Sequence, residues 1–239
     1  MRPHSLTSYS THTEVFERHL AWLAEHCEVV DFTEALRPAG RRPRVSITFD
    51  DGYLDNVQFA VPLLEAYGLE ATFFVTTGFI ERDPTALAWV QQTYGMSLEQ
   101  IQPLDKVALS ELFSVGMPVG AHAHTHRRLR DLSVSEQRDE LERSKALLEQ
   151  HLGVEIQTMA YPFGLPAVAF DRRTVGIARG LGYRQVGAVQ YRGVRPSDDP
   201  LRIPRFVLTN ETERELEAIV YGGLDLMGMQ YDLRYALSR

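Results

Sequence analysis

The chain has 239 residues, 44% of them hydrophobic and 24% charged, with a formal net charge of −7. This is ordinary globular composition, long enough for one large core, and a single catalytic domain over residues 1–239 is expected. The acidic balance argues against a nucleic-acid partner, which calls for a basic face, and no apolar stretch approaches the roughly 18 residues of a membrane span.

The N-terminal stretch MRPHSLTSYSTHTE lacks the apolar core of a signal peptide, so the expected location is the cytoplasm. Residues 14–26 carry Val15, Phe16, Leu20, Trp22 and Leu23 at helical spacing. CEVVDF reads as a short strand; its Cys27 is the single cysteine, which excludes an intrachain disulfide. Residues 37–43 (RPAGRRP) form a loop, RVSITF a strand, residues 57–68 a helix closed by Gly68, and EATFFVTT the next strand. Residues 78–106 show no clear period and are read as an irregular excursion over one face. A helix over 108–116 leads to the strand-like MPVGAHAH. Residues 133–153 hold the strongest helical pattern, with a Ser133-x-x-Glu136 or Ser135-led capping signal and a terminal glycine. IQTMAYPFG is a strand ending in a turn, RRTVGIARGLGY a helix, RQVGAVQ and LRIPRFVL strands, and TERELEAIVYGG a helix. The remaining C-terminal residues fit either a closing helix or a protein-contact element. Lysine is rare (Lys106 and Lys145 only), and the arginine clusters Arg41-Arg42, Arg127-Arg128-Arg130 and Arg172-Arg173 read as solvated faces, with anion binding the alternative.

The β-α alternation implies a mainly parallel sheet wrapped by helices. Asp50-Asp51, His122 to His126 and Tyr161-Pro162-Phe163 all fall at C-terminal strand ends, the edge on which α/β proteins build active sites. Adjacent carboxylates repel, and burial raises that cost, so Asp50-Asp51 needs a metal ion, an arginine or water as partner. His122, His124 and His126 would share one face on a strand, whereas on a helical turn only His122 and His126 would. Either arrangement can chelate a divalent ion. Two histidines and one carboxylate form a recurrent catalytic metal set, which would leave the second aspartate free to act as a base on the water that the metal activates.

TFDDGY, HAHTH and YPFG, in this order, resemble the motifs of the polysaccharide deacetylase family, also called the NodB homology domain and akin to carbohydrate esterase family 4. The resemblance runs from about Glu14 to Phe206. It implies a distorted (β/α) barrel and a metal-dependent hydrolase that removes an N-acetyl or related acyl group from an amino-sugar-containing saccharide. By the resemblance, Asp50 is the catalytic base, and Asp51, His122 and His126 bind the metal. Zinc is the first choice; cobalt, nickel or iron would tolerate the same ligands. His124 holds a variable position. Tyr161, Pro162 and Phe163 would line the substrate groove, with the Phe163 N–H facing the oxyanion and Tyr53 a further aromatic contact.

Two features depart from the family pattern. An arginine that commonly orients the base is replaced by Ala160, and Arg205 is the candidate substitute. No histidine follows His151, so the general acid must come from elsewhere. RPHSL resembles an N-terminal element of the subgroup with rearranged motif order, which makes His4 the candidate acid, with His12 in STHTE as the lesser substitute. A hydrolase of a small non-sugar amide, or a degenerate metal-retaining binding protein, are the alternative readings.

Overall fold

The structure is a computed structural model that describes residues 10–95, 100 and 102–237. Helix α1 (Thr13–His26) leads into β1 (Glu28–Val29), which pairs in parallel with β2 (Arg44–Val45) as a small separate sheet. The main sheet is parallel and six-stranded: β3 (Ile47–Phe49), β4 (Ala71–Val75), β5 (Val119–Ala121), β6 (Thr158–Ala160), β7 (Gln185–Val189) and β8 (Ile203–Arg205). Spatial order equals chain order, so every connection returns the chain to the next strand and all six C-terminal ends share one edge.

Helices make those returns: α2 (Val61–Ala66, after a π turn at Asn56–Ala60), α3 (Thr77–Ile80), α4 (Pro84–Tyr94), α5 (Lys106–Ser114), α6 (Val134–Leu152) and α7 (Arg172–Gly180). Helices α8 (Glu213–Val220) and α9 (Asp225–Leu237) follow β8. Several of their ends were written in local chemistry. Ser133 and Glu136 form the expected reciprocal cap of α6, and Asp171 with Thr174 does the same for α7. The 78–106 segment differs from the expectation of an irregular excursion. Asp83 caps α4 through the N–H groups of Thr85 and Ala86, Pro84 occupies the first turn, and Gly95 (φ 61°) closes it. These signals are start and stop residues rather than an apolar period, and they define a helix that period alone does not.

The sheet curls. Successive residues of β4 face opposite sides: Phe73 joins the large core between sheet and helices, while Phe74 packs inside the curl with Phe32, Ala160 and Ile203. Backbone pairing stops at β3 and β8, yet Arg205 of β8 donates to Thr48 Oγ1 of β3 at 3.0 Å. The two edge strands are therefore brought back together, and the distorted barrel expected from the motifs is an incompletely closed one, bridged by side chains. The C-terminal residues form a closing helix. Asp232 of α9 accepts from Gln190 and Arg192, and Arg202 lies 4.1 Å above the ring of Tyr235. A cavity of about 460 Å³ beside this helix is lined by Arg172, Arg192, Arg202, Asp198 and Asp232; Arg192 pairs with both aspartates, so the charges there pin α9. No helix among the described residues is long and apolar enough to cross a membrane.

Candidate active site

Asp50 and Asp51 follow β3 directly, and Asp51 adopts left-handed backbone (φ 74°). His122 follows β5 and is 1% exposed; His126 is 4% exposed. The turn between them is neither strand nor helix. Left-handed residues at Ala123 (φ 59°) and His126 (φ 59°) fold it back, so that both Nε2 atoms meet one oxygen, Asp51 Oδ1, at 3.3 Å (His122) and 2.9 Å (His126). His124 points away: its Nδ1 lies 2.9 Å from Thr77 Oγ1 and its Nε2 3.5 Å from Asp83.

Asp51, His122 and His126 form a group that could hold a metal ion, with one ligand atom from each within 4.8 Å of the others. The donor chemistry fits an ion. His122 Nδ1 lies 2.9 Å from the Ala160 carbonyl, which can only accept, so Nδ1 carries a proton and Nε2 turns toward the Asp51 carboxylate. A lone pair facing a carboxylate oxygen at 3.3 Å is repulsive unless a cation, proton or metal, lies between. The Ala160 contact is also the outer support that metal-binding histidines commonly have.

Arg205 forms two parallel hydrogen bonds to Asp50, Nη1 to Oδ1 at 2.7 Å and Nη2 to Oδ2 at 2.8 Å. The guanidinium thus reaches, from β8, the carboxylate that the missing arginine at position 160 would have oriented. Its path crosses Gly187 of β7, two residues along from its register partner Val189: a Cβ on Gly187 would lie 2.5 Å from Arg205 Nε. Burial works to raise the Asp50 carboxyl, but Arg205 and His122 outweigh it and hold it below the usual carboxylate range. Burial also opposes charge on Asp51, which His126 and His122 nonetheless hold well below that range. At His122, burial lowers the imidazole and the two aspartates overcome it, for a net rise; at His126 burial prevails and the ring is lowered. Arg205→Met should raise the Asp50 pKa and move the acid limb of any kcat/KM profile to higher pH, and Gly187→Ala should shift it the same way by displacing the guanidinium. A limb unmoved in both variants would show that Arg205 does not act on the ionising group.

An aromatic wall stands beside His126. The Trp89 ring centroid lies 3.9 Å from that of His126, Phe163 lies 4.9 Å from His126, and Phe79 links Trp89 to Tyr53. Phe163 is 39% exposed and left-handed (φ 62°). The YPFG motif divides here, which corrects the expectation for Tyr161. Tyr161 is fully buried, stacked on Phe170 at 3.9 Å and donating its hydroxyl to Leu201 O, so its side chain belongs to the core rather than to a groove. Pro162 is buried as well, and Phe163 alone presents its ring at the edge. His4 lies outside the described residues. The chain enters them at Ser10, whose carbonyl accepts from Asn210 Nδ2 at 3.1 Å, while His12 N–H donates to Asn210 Oδ1 at 2.9 Å. Asn210 sits in the loop leaving β8.

An α/β fold with a His-His-Asp cluster and a second aspartate on one sheet edge defines a class of hydrolase-type site, and comparison narrows it. The family model for polysaccharide deacetylase matches residues 37–186, and the chain belongs to the polysaccharide deacetylase family. It is 28% identical over 189 residues to YxkH of Bacillus subtilis (strain 168), a protein named for the same family, covering 77% of this chain and 60% of YxkH. It is 22% identical over 226 residues to the poly-beta-1,6-N-acetyl-D-glucosamine N-deacetylase of Staphylococcus aureus (strain MSSA476), covering 88% of this chain and 72% of that protein. Among solved structures, the Streptococcus pyogenes deacetylase PplD in complex with acetate superposes with a TM-score of 0.74 at 21% identity, covering 89% of each chain. IcaB from Ammonifex degensii superposes with a TM-score of 0.70 at 22% identity, covering 92% of this chain and 93% of that one. At these identities the solved structures establish the fold. The chain spans about 60% of the length of YxkH.

Proposed function

We propose that this protein is a metal-dependent hydrolase that removes N-acetyl groups from an amino-sugar-containing saccharide. The observation that carries the reading is the convergence of Asp51, His122 and His126 on one point beside an Arg205-bound Asp50. Asp51, His122 and His126 would hold a divalent ion, which would supply Lewis acidity to the amide carbonyl and to a water. Zinc suits the two imidazoles and one carboxylate, as would cobalt, nickel or iron.

Asp50 takes the proton from that water. A carboxylate below its usual pKa is a weak base but stays ionised across the neutral range, and Arg205 holds both its oxygens in one orientation. The Phe163 N–H donates to the oxyanion as the carbonyl carbon becomes tetrahedral. The C–N bond then breaks, the acyl group leaves as the carboxylate, and the amine takes a proton from His4. Support for His4 is the resemblance of RPHSL to the N-terminal element of the subgroup with rearranged motif order. Trp89, Phe163 and Tyr53 offer the apolar faces on which a pyranose ring stacks.

Acetate release from N-acetylglucosamine oligomers, β-1,6-linked ones first, set against small non-sugar N-acetyl amides, tests the substrate. Turnover of the oligomers, lowered about 10²–10⁴-fold in His4→Ala, is the expected result. Release from the small amides alone would move the substrate outside the saccharides, and an unaltered His4→Ala would remove it as the acid.

A further inference from the structure

The turn that presents His122 and His126 holds two non-glycine residues in left-handed backbone, a conformation that persists only where its surroundings fix it. Helix α6 supplies the fixing group. Glu140 is 2% exposed, an unusual place for a carboxylate, and its hydrogen-bond partners all come from residues 124–127. Its Oε2 accepts from the backbone N–H of His124 at 3.0 Å and of Thr125 at 2.8 Å. Its Oε1 accepts from the Thr125 hydroxyl and from Arg127, Nε at 3.3 Å and Nη2 at 3.1 Å. One helical turn on, Ser144 Oγ donates to Ala123 O at 3.0 Å. On the opposite side, Gly78 N–H donates to His124 O at 2.7 Å, and a Cβ on Gly78 would stand 2.4 Å from that oxygen.

Packing alone does not call for this arrangement. A buried carboxylate is costly unless fully hydrogen-bonded, and an apolar residue would fill the same space without that cost. What the carboxylate adds is acceptors aimed at the residues between the two histidines. We infer that Glu140 is a positioning residue for the metal centre: by binding the His124 and Thr125 N–H groups it sets the spacing and direction of His122 and His126, and through them the affinity for the ion. This rests on the metal reading given under Proposed function.

The two acceptor bonds to backbone use a single oxygen, Oε2, so glutamine can keep them while aspartate, one methylene shorter, cannot reach. Arg127 keeps a second partner, Glu136, at 3.4 Å in any of these variants. Metal-free wild type, Glu140→Ala, Glu140→Asp and Glu140→Gln would be titrated with Co²⁺, read by the visible absorption of bound cobalt, with thermal unfolding of each metal-free protein alongside. Glu140→Ala and Glu140→Asp should bind Co²⁺ about 10–100-fold more weakly and with an altered spectrum, and Glu140→Gln within about threefold of wild type. If Glu140→Ala does not fold, Glu140→Asp, which keeps the charge, carries the comparison. Wild-type affinity and spectrum in Glu140→Ala or Glu140→Asp, whatever the change in unfolding temperature, would overturn the inference alone. Wild-type protein that binds no Co²⁺ would overturn the metal reading and this inference with it.

Discussion

Asp50→Asn should lower deacetylation by about 10²–10⁴-fold while leaving the fold and metal binding intact. The amide is nearly isosteric with the carboxylate and can still accept one hydrogen bond from Arg205, which now holds Asp50 through two at 2.7 and 2.8 Å. It cannot take a proton from water. Asp50 is a third exposed and stands 3.9 Å from His122 Nε2, farther than Asp51 at 3.3 Å, so in the proposed reading its loss removes a base and not a ligand. Steady-state acetate release and metal content measured on the same preparation check both halves. A variant that loses activity and metal together would show that Asp50 is a ligand and that the two aspartates have been given the wrong roles.

His126→Ala should weaken metal binding by more than about 100-fold, beyond the 10–100-fold typical of outer supports, because it removes one of three ligand atoms. His124→Ala is the informative control. His124 is as buried as His122, but its ring faces Thr77 and Asp83, and among the three neighbouring histidines only His122 and His126 reach Asp51. Its replacement should cost stability, through the lost Thr77 contact, and keep one equivalent of metal. Equal loss of metal in both variants would mean that the turn as a whole, not the identity of the ligand, is being read.

Much of this arrangement was legible in the residues, and the parts that were not share a cause. Asp50-Asp51 after an apolar run and histidines four apart announce a site because such groups need partners wherever the fold puts them. The cap at Ser133 is local chemistry, and local chemistry survives folding. Arg205 was open to a guess, since a lone arginine in a late strand can point anywhere; what directs it is the curl of the sheet and the space left by Gly187. Tyr161 misled because the motif is not one extended segment: the chain turns after β6 and Phe163 is left-handed (φ 62°), which leaves Tyr161 in the core and puts the Phe163 ring at the edge. Glu140 carried no signal of its own. On a helix full of glutamates it is distinguished only by burial and by facing the turn at His124 and Thr125, both consequences of how α6 packs. The backbone reversal at Ala123 and His126 was equally silent, because alanine does not favour left-handed geometry and histidine, though enriched there, adopts it in only a small minority of cases.

The most direct measurement is acetate release from a β-1,6-linked N-acetylglucosamine oligomer by metal-free protein titrated with Zn²⁺, with bound metal counted at each step. Turnover is expected to be absent without metal, to rise with bound zinc and to saturate at one equivalent per chain. Full activity in the metal-free protein, or stoichiometric zinc without acetate release from the oligomer, would contradict metal-dependent deacetylation of the saccharide.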